Sequence, residues 1–462
     1  MRIEQSFVKK GYFWLPDAPD KKIPGTLTIE DGGNIELEIV GHFYNDIKSV
    51  DEKNTFDRIV GEIEHDGYIT LDNCFYLQKN ISFGNSISKS TLHVHRALSG
   101  VAYDKNEDIT FNSVSFSMDC LDEWIHISGF SVETVLEYYV TTIRYIPPEK
   151  ISFSLTNGME LEIGFSHTFP SGANITEAKI TQKAYFKLKS EELRPLDDFV
   201  KVIYKLTHFI CFATDEIVSI KNLEAKSSNI QREISVEKKV SIPIPLYYQS
   251  LPFSEKISKK TWNSMLFTFK TIEANAQNIF NAWIDAYDTL SPAFNLYFST
   301  KSNTKKYLEE QFLGLIQGLE TYHRRSSHET LMEQDKFDVL VTEIKSHCST
   351  EHLEWLDGRL KYGNEISLKT RLRRVIEPFQ EKLGDSSDRK KLLQQIVDTR
   401  NYFTHYDVTL KDKAAQGKEL WRLCETLEAL FQLHFLKLIG LSDEKINTIV
   451  SKSYSLQTKL SH

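Results

Sequence analysis

The chain has 462 residues and a formal net charge of −8 at pH 7, and 40% of its residues are hydrophobic and 26% charged. This length allows two or three domains with large cores, and this composition excludes a disulfide-stapled miniprotein, a collagen-like chain and a disordered chain. The acidic balance excludes a protein that is basic over its whole surface, so any binding site for a polyanion has to be local.

The first 250 residues alternate apolar and polar side chains with a period of two. Three pairs of such segments flank turns rich in Gly, Asn and Asp: 25–30 with 35–39, 59–63 with 68–71, and 151–155 with 161–165. Repeated hairpins predict a β-rich domain, an antiparallel sheet or sandwich, over residues 1–250. One amphipathic helix interrupts it after Pro195, and Pro243 and Pro245 favour an edge strand, or the exit from the domain, near its end.

From residue 261 onward the apolar period changes to 3.6, which predicts an all-helical second half. We expect a helical connector over residues 251–300, in which Ser291-Pro292 caps and begins a new helix. Residues 301–450 then form a helical bundle. Its predicted helices lie at about 304–324, 331–347, 351–361, 367–383, 388–402 and 415–439. The predicted fold class is therefore a multidomain α+β chain, with the sheet first and the helices second.

Arg400 and His405 lie five residues apart, so on a helix their directions differ by about 140°. Imidazole has a reference pKa of about 6.5 and can take a proton from a ribose 2′-hydroxyl or give one to a leaving oxygen. A guanidinium carries a fixed fork of donors that matches a phosphate and stabilises charge developing on its oxygens. The pair fits metal-free cleavage of RNA, because the 2′-hydroxyl is an internal nucleophile.

This spacing also arises by chance. Arg58 and His65 have a comparable spacing but lie in a predicted hairpin, and a surface Arg beside a helix-capping His is the alternative interpretation of Arg400 and His405. The surrounding sequence favours the catalytic interpretation. The run Arg400-Asn401-x-x-x-His405 resembles the Arg-Asn-x-x-x-His signature of HEPN ribonucleases.

The resemblance extends to two other segments. Residues 312–325 and 360–368 are similar to the HEPN domain of ApeA-like anti-phage proteins, which also carry a β-rich region ahead of that domain. This implies a cytoplasmic defence protein that acts by abortive infection as a metal-independent endoribonuclease leaving a 2′,3′-cyclic phosphate. It implies that Arg400 and His405 are the catalytic pair and that Asn401 is the polar residue accompanying them.

The resemblance also implies partners. HEPN nucleases often form homodimers through the HEPN domain, with the two motifs meeting in one cleft. RNA is the expected substrate, with transfer RNA as a candidate. The domain over residues 1–250 is expected to sense a phage-derived trigger or to restrain the nuclease.

Two further sets of polar residues are candidates for binding RNA or orienting the catalytic pair. One set ends a long predicted helix, where a solvated helix terminus is the alternative interpretation. The other belongs to residues 366–405, where nine Lys or Arg side chains stand against five acids, a local net charge of +4 that would attract RNA phosphates. The candidates are Glu320, Tyr322, His323, Arg324, Arg371 and Arg374.

Two interpretations in which the protein is not an enzyme stay open. A HEPN-type module can keep its fold and only bind RNA or nucleotides, or serve as a scaffold. A carbohydrate-binding β-sandwich joined to an unrelated helical bundle is the second, suggested by the aromatic content of the first half.

Cysteine usage and hydropathy bear on compartment and cofactors. The five cysteines are scattered without a C-x-x-C pair, which indicates reduced thiols in a cytoplasmic protein. The N-terminus has no apolar signal segment, and no stretch reaches the roughly 18 apolar residues of a membrane span. His93-x-His95 lacks a third ligand nearby in sequence, so we expect no metal and no other cofactor.

Overall fold

The structure is a computed structural model that describes residues 1–5, 7–44, 54–80, 87–170, 176–235, 238–302 and 306–461. The chain divides into two compact units, Met1–Ile284 and Asp285–His462. The N-terminal unit is β-rich and the C-terminal unit is helical, which confirms the predicted fold class. Among the described residues, no helix is both long and apolar enough to cross a membrane.

The first unit consists mainly of strands. They are β1 (Phe7–Trp14), β2 (Ile23–Ile29), β3 (Ile35–Val40), β4 (Thr55–Ile63), β5 (Gly67–Asn80), β6 (Lys89–Ser99), β7 (Thr110–Met118), β8 (Phe130–Val135), β9 (Val140–Tyr145), β10 (Ile151–Ser154), β11 (Glu160–His167), β12 (Gln182–Pro195), β13 (Ile220–Lys226), β14 (Gln231–Ser235), β15 (Lys238–Ser241) and β16 (Ile244–Tyr248). Its helices are α1 (Leu121–Ile125), α2 (Leu196–Thr214), α3 (Phe269–Ile272) and the first part of α4 (Ala276–Lys301).

Among the described residues, twelve strands form one antiparallel sheet in the order β10-β11-β12-β7-β13-β16-β6-β3-β2-β1-β4-β5. Strand β5 also pairs with β6, so the last six strands close into a ring. In β3 the apolar Ile35, Leu37 and Ile39 are fully buried while the side chains between them are more exposed, as the alternation predicts. The three predicted hairpins are confirmed as β2–β3, β4–β5 and β10–β11.

Strand β16 corrects one prediction. Of the two positions that Pro243 and Pro245 favour, an edge strand or the exit from the domain, the first is wrong, because β16 lies inside the sheet between β13 and β6. Residues 244–245 pair with β13 and residues 246–248 pair with β6. Pro245 therefore faces a partner on one side only, which is how a residue without an N–H is accommodated in an interior strand.

An aromatic core lies between the helices and the other half of the sheet. Trp124 of α1 contacts Phe209 of α2 and Phe269 of α3, with ring centroids 5.9 and 5.7 Å apart. Phe280 and Trp283 of α4 reach Phe209 at 5.3 and 5.5 Å. Residues of α3 and α4, which lie beyond residue 250, therefore belong to the core of the first unit. The helical period of the sequence begins at residue 261, before this core is complete.

The second unit is built from helices. They are the rest of α4, α5 (Leu308–Ser326), α6 (Gln334–Ser346), α7 (Leu353–Leu360), α8 (Leu368–Ile376), α9 (Ser386–His405), α10 (Gly417–Leu438), α11 (Asp443–Lys452) and α12 (Tyr454–Leu460). A 3-10 turn, Glu377–Lys382, follows α8. The predicted start of α5 at residue 304 lies outside the described residues.

Helix α4 corrects a second prediction, because it runs through Ser291-Pro292 without a new start. A proline inside a helix removes one backbone hydrogen bond and costs about 3 kcal/mol. The chain buries aromatic side chains on both sides of Pro292, among them Trp283 and Tyr297. Their burial offsets that cost.

A buried ion cluster joins three helices of the second unit. Glu428 of α10 accepts hydrogen bonds at Oε1 from Lys301 Nζ at 2.5 Å and Lys459 Nζ at 2.6 Å. The three side chains are between 7% and 11% exposed. One carboxylate therefore compensates two ammonium groups in a desolvated position.

Candidate active site

The candidate motif lies in the last two turns of α9. This helix begins at a capping box, in which Asp385 Oδ1 accepts the N–H groups of Ser387 and Asp388 at 2.6 and 2.9 Å. It ends because Tyr406 adopts a left-handed conformation with φ 51°, and the Tyr406 N–H donates to the Tyr402 carbonyl at 2.6 Å. The buried side chains of α9 are Leu392, Leu393, Ile396, Thr399 and Phe403.

Arg400, Asn401 and His405 lie away from that buried face. His405 is exposed, and Arg400 and Asn401 are half-buried. Asn401 and His405 are four residues apart and share one side of the helix, whereas Arg400 is about 140° from His405. Arg400 Nη1 donates to Asn401 Oδ1 at 3.2 Å, which draws the guanidinium toward the side that carries His405.

The nearest acid in sequence is engaged elsewhere. Asp407 accepts hydrogen bonds from the Thr409 hydroxyl at 2.8 Å and the Thr409 N–H at 2.9 Å. These bonds, with a smaller contribution from His405, lower the pKa of the Asp407 carboxyl. Asp407 therefore caps the following turn. No group of three His, Cys, Asp or Glu side chains among the described residues is arranged to hold a metal ion.

Sequence reasoning missed Thr399 as a supporting residue. Its side chain is completely buried, and its Oγ1 accepts the Ala415 N–H at 2.9 Å. This bond ties the segment after His405 back to α9. The only sequence signal is a hydroxyl on an otherwise apolar helix face, one residue before Arg400.

Replacing Thr399 with valine is expected to lower the free energy of unfolding by about 1–3 kcal/mol, because the Ala415 N–H is left buried without an acceptor. Urea denaturation measures the change. Thr404→Val is the matched control, since Thr404 is exposed and its hydroxyl donates to the Arg400 carbonyl of its own helix and to no other described residue. Equal stabilities of the two variants would contradict this role of Thr399.

The polar end of α5 forms a network of its own. Arg324 Nε donates to Glu320 at 3.1 Å, and Arg324 and Arg371 both pair with Glu365. Arg371 is only 4% exposed. These charges are therefore compensated within the second unit.

Two neighbouring side chains at this end of α5 are shielded from solvent. Burial raises the pKa of Tyr322 to about 12, and its ring lies 5.0 Å from that of His434. Burial and the nearby Arg371 lower the pKa of His323, whose Nδ1 has no partner among the described residues. Both groups are uncharged at neutral pH.

Arg374 is also paired. It makes two hydrogen bonds to Glu329 Oε1, at 2.8 and 3.1 Å, and one to Glu377 at 3.1 Å. Of the six candidates outside the motif, the two arginines of α8 are thus held by glutamates.

The candidate motif lies beside the early turns of α5, far from the polar end of that helix. The Phe403 ring, two residues before His405, lies 6.3 Å from that of Phe312 in the early turns of α5. Glu320 and Arg324 follow Phe312 by 8 and 12 residues, or about 12 and 18 Å of helix rise. No described contact joins these residues to Arg400 or His405.

Both parts of the chain match models of known protein families. Residues 8–283 match the model of ApeA N-terminal domain 1, and residues 313–445 match the Apea-like HEPN model. The first match alone covers more than half of the chain. The chain belongs to the ApeA family. No curated protein and no solved structure gives a significant match.

The family assignment supports an anti-phage protein that contains a HEPN domain. HEPN domains are generally nucleases, and they commonly bind RNA and dimerise. The matched HEPN segment contains all of α9, so Arg400, Asn401 and His405 lie inside the HEPN domain.

Proposed function

We propose that this ApeA-family protein is a metal-independent endoribonuclease that defends the cytoplasm against phage by abortive infection. The observation that carries the proposal is the placement of Arg400, Asn401 and an exposed His405 at the open end of α9, inside the HEPN domain. Transfer RNA is a candidate substrate, because its cleavage would stop translation in an infected cell.

The proposed reaction is a transfer within the substrate. The ribose 2′-oxygen attacks its own phosphorus while an imidazole removes the 2′-hydroxyl proton. The bond from phosphorus to the 5′-oxygen breaks, and that oxygen takes up a proton to leave a 5′-hydroxyl. The other product is a 2′,3′-cyclic phosphate. Arg400 stabilises the charge on the non-bridging oxygens, and Asn401 holds the Arg400 guanidinium on the reacting side.

This chemistry favours a homodimer. One imidazole cannot accept the 2′-hydroxyl proton and donate to the leaving oxygen at the same moment, yet the second copy of the motif supplies another His405. We propose that two HEPN domains pair so that both motifs face one phosphodiester. The N-terminal domain then restrains this nuclease until a phage-derived trigger is sensed.

The product ends test the reaction. We expect RNA fragments with 2′,3′-cyclic phosphate and 5′-hydroxyl ends, formed in the presence of a chelator. A substrate with a single 2′-deoxyribose at the cleaved position should be uncut there, because it lacks the nucleophile. Fragments that carry 3′-hydroxyl ends would contradict the mechanism.

A further inference from the structure

A basic groove runs between α8 and the first half of α9. Four cations line it, Lys369 and Arg373 from α8 and Arg389 and Lys390 from α9. The buried Ile376 and Leu393 form an apolar floor, and the groove has a volume of about 520 Å³. We refer to these six residues as the α8–α9 groove.

Among the described residues, the four cations of the α8–α9 groove form no ion pair. Glu377, the one acid among the described residues that line it, pairs with Arg374 at 3.1 Å. Lys369 donates to the neutral Gln394 at 2.6 Å, and Arg389 donates to the Gln380 carbonyl at 3.2 Å. Within the described part of the chain, no carboxylate lies within ion-pair distance of any of the four cations.

Arg373 and Lys390 are the most available of the four. Both side chains are exposed, and neither side chain forms a hydrogen bond or ion pair with another described residue. This distinguishes Arg373 from its neighbours Arg371 and Arg374, which glutamates hold. The cations free to meet a ligand are therefore not the two arginines that the sequence favours.

The groove leads toward the candidate motif along α9. Lys390 and Asn401 are eleven residues apart, so they differ by only about 20° in direction and about 16 Å in height along the helix. Gln394 and His405 lie on the same side. A strand seated on Lys390 and continued along this side of α9 would arrive at His405.

We propose that the α8–α9 groove binds the phosphodiester backbone of single-stranded RNA on one side of the cleaved bond. This inference deepens the proposed function and rests on it for the identity of the substrate. Cations on two walls suit successive phosphates, and the apolar floor suits a sugar or base face, which a single strand leaves exposed. The groove thus supplies binding and register away from the reacting atoms.

Binding by full-length protein tests the proposal without turnover. The probe is a fluorescent single-stranded RNA long enough to span the groove and the motif, mixed with the His405→Ala protein in chelator at several salt concentrations. Adding Arg373→Glu and Lys390→Glu should weaken binding at least about tenfold and reduce the magnitude of the slope of log K against log salt by about 1.4, for two lost phosphate contacts.

Lys445→Glu with Lys452→Glu is the matched control, because it changes the net charge equally at exposed positions of α11 that do not line the groove. Circular dichroism checks that both double variants are folded. Equal affinity of the groove variant and the control would overturn the proposal. A nucleoside monophosphate that competes as well as the strand would also overturn it, since the groove would then hold one phosphate only.

The two proposals fail separately. If the wild-type protein cleaves RNA but the groove variant binds RNA as well as the control, the groove proposal is wrong and the nuclease proposal stands. If the groove variant binds RNA more weakly but the wild-type protein never cleaves RNA, the nuclease proposal is wrong and the groove remains an RNA-binding site.

Discussion

Replacing His405 with alanine is expected to slow RNA cleavage by about 10²- to 10⁴-fold, the usual contribution of a positioned acid or base. The exposed imidazole at the end of α9 is free to meet substrate. Its removal takes away proton transfer without opening a cavity in the core. Single-turnover cleavage of a defined RNA measures the rate constant.

His328→Ala is the matched control, because His328 is an exposed histidine of the same unit that lies outside the motif. Both variants should keep the wild-type thermal unfolding curve. In phage-infected cells the His405→Ala protein should lose protection and the His328→Ala protein should keep it. Full protection by a folded His405→Ala protein would contradict the nuclease and favour a HEPN-type binding or scaffold module.

Replacing Glu428 with glutamine is expected to lower the free energy of unfolding by about 3–5 kcal/mol. The change preserves shape but removes a negative charge that lies 2.5 Å from Lys301 Nζ and 2.6 Å from Lys459 Nζ. Two ammonium groups then remain in a position where water reaches them poorly. Urea denaturation followed by the helical circular dichroism signal measures the loss.

Glu419→Gln is the control for this prediction, since Glu419 is an exposed acid in the first turn of the same helix. Its effect should stay below about 1 kcal/mol. Adding Lys301→Met and Lys459→Met to the Glu428→Leu change should restore most of the stability, because the three charges of this cluster are then removed together. Equal effects of Glu428→Gln and Glu419→Gln would contradict the account of this cluster.

Local sequence patterns predict the elements of this fold better than its long-range pairings. The alternation in β2 and β3 and the Gly-rich turn between them suffice for that hairpin, because a turn and its strands are neighbours in sequence. The closure of β5 onto β6 and the interior position of β16 depend on distant strands. Pro245 favours an edge strand or the exit from the domain, and only its one-sided pairing explains why the edge position is wrong.

The candidate site shows the same limit at the level of side chains. The Arg400-Asn401-x-x-x-His405 motif is local in sequence, so the sequence alone is enough to propose it as the site. The sequence also gives the number of Lys and Arg side chains in residues 366–405, but it does not show which of them form ion pairs. Arg374 meets Glu329, 45 residues away in sequence, while Arg373, on another side of the same helix, lines the groove.

Incubation of total cellular RNA with the purified protein in chelator tests the central claim most directly. The wild-type protein should cleave the RNA, and folded Arg400→Ala and His405→Ala proteins should leave it intact. Equal cleavage by all three proteins would contradict a nuclease centred on Arg400 and His405.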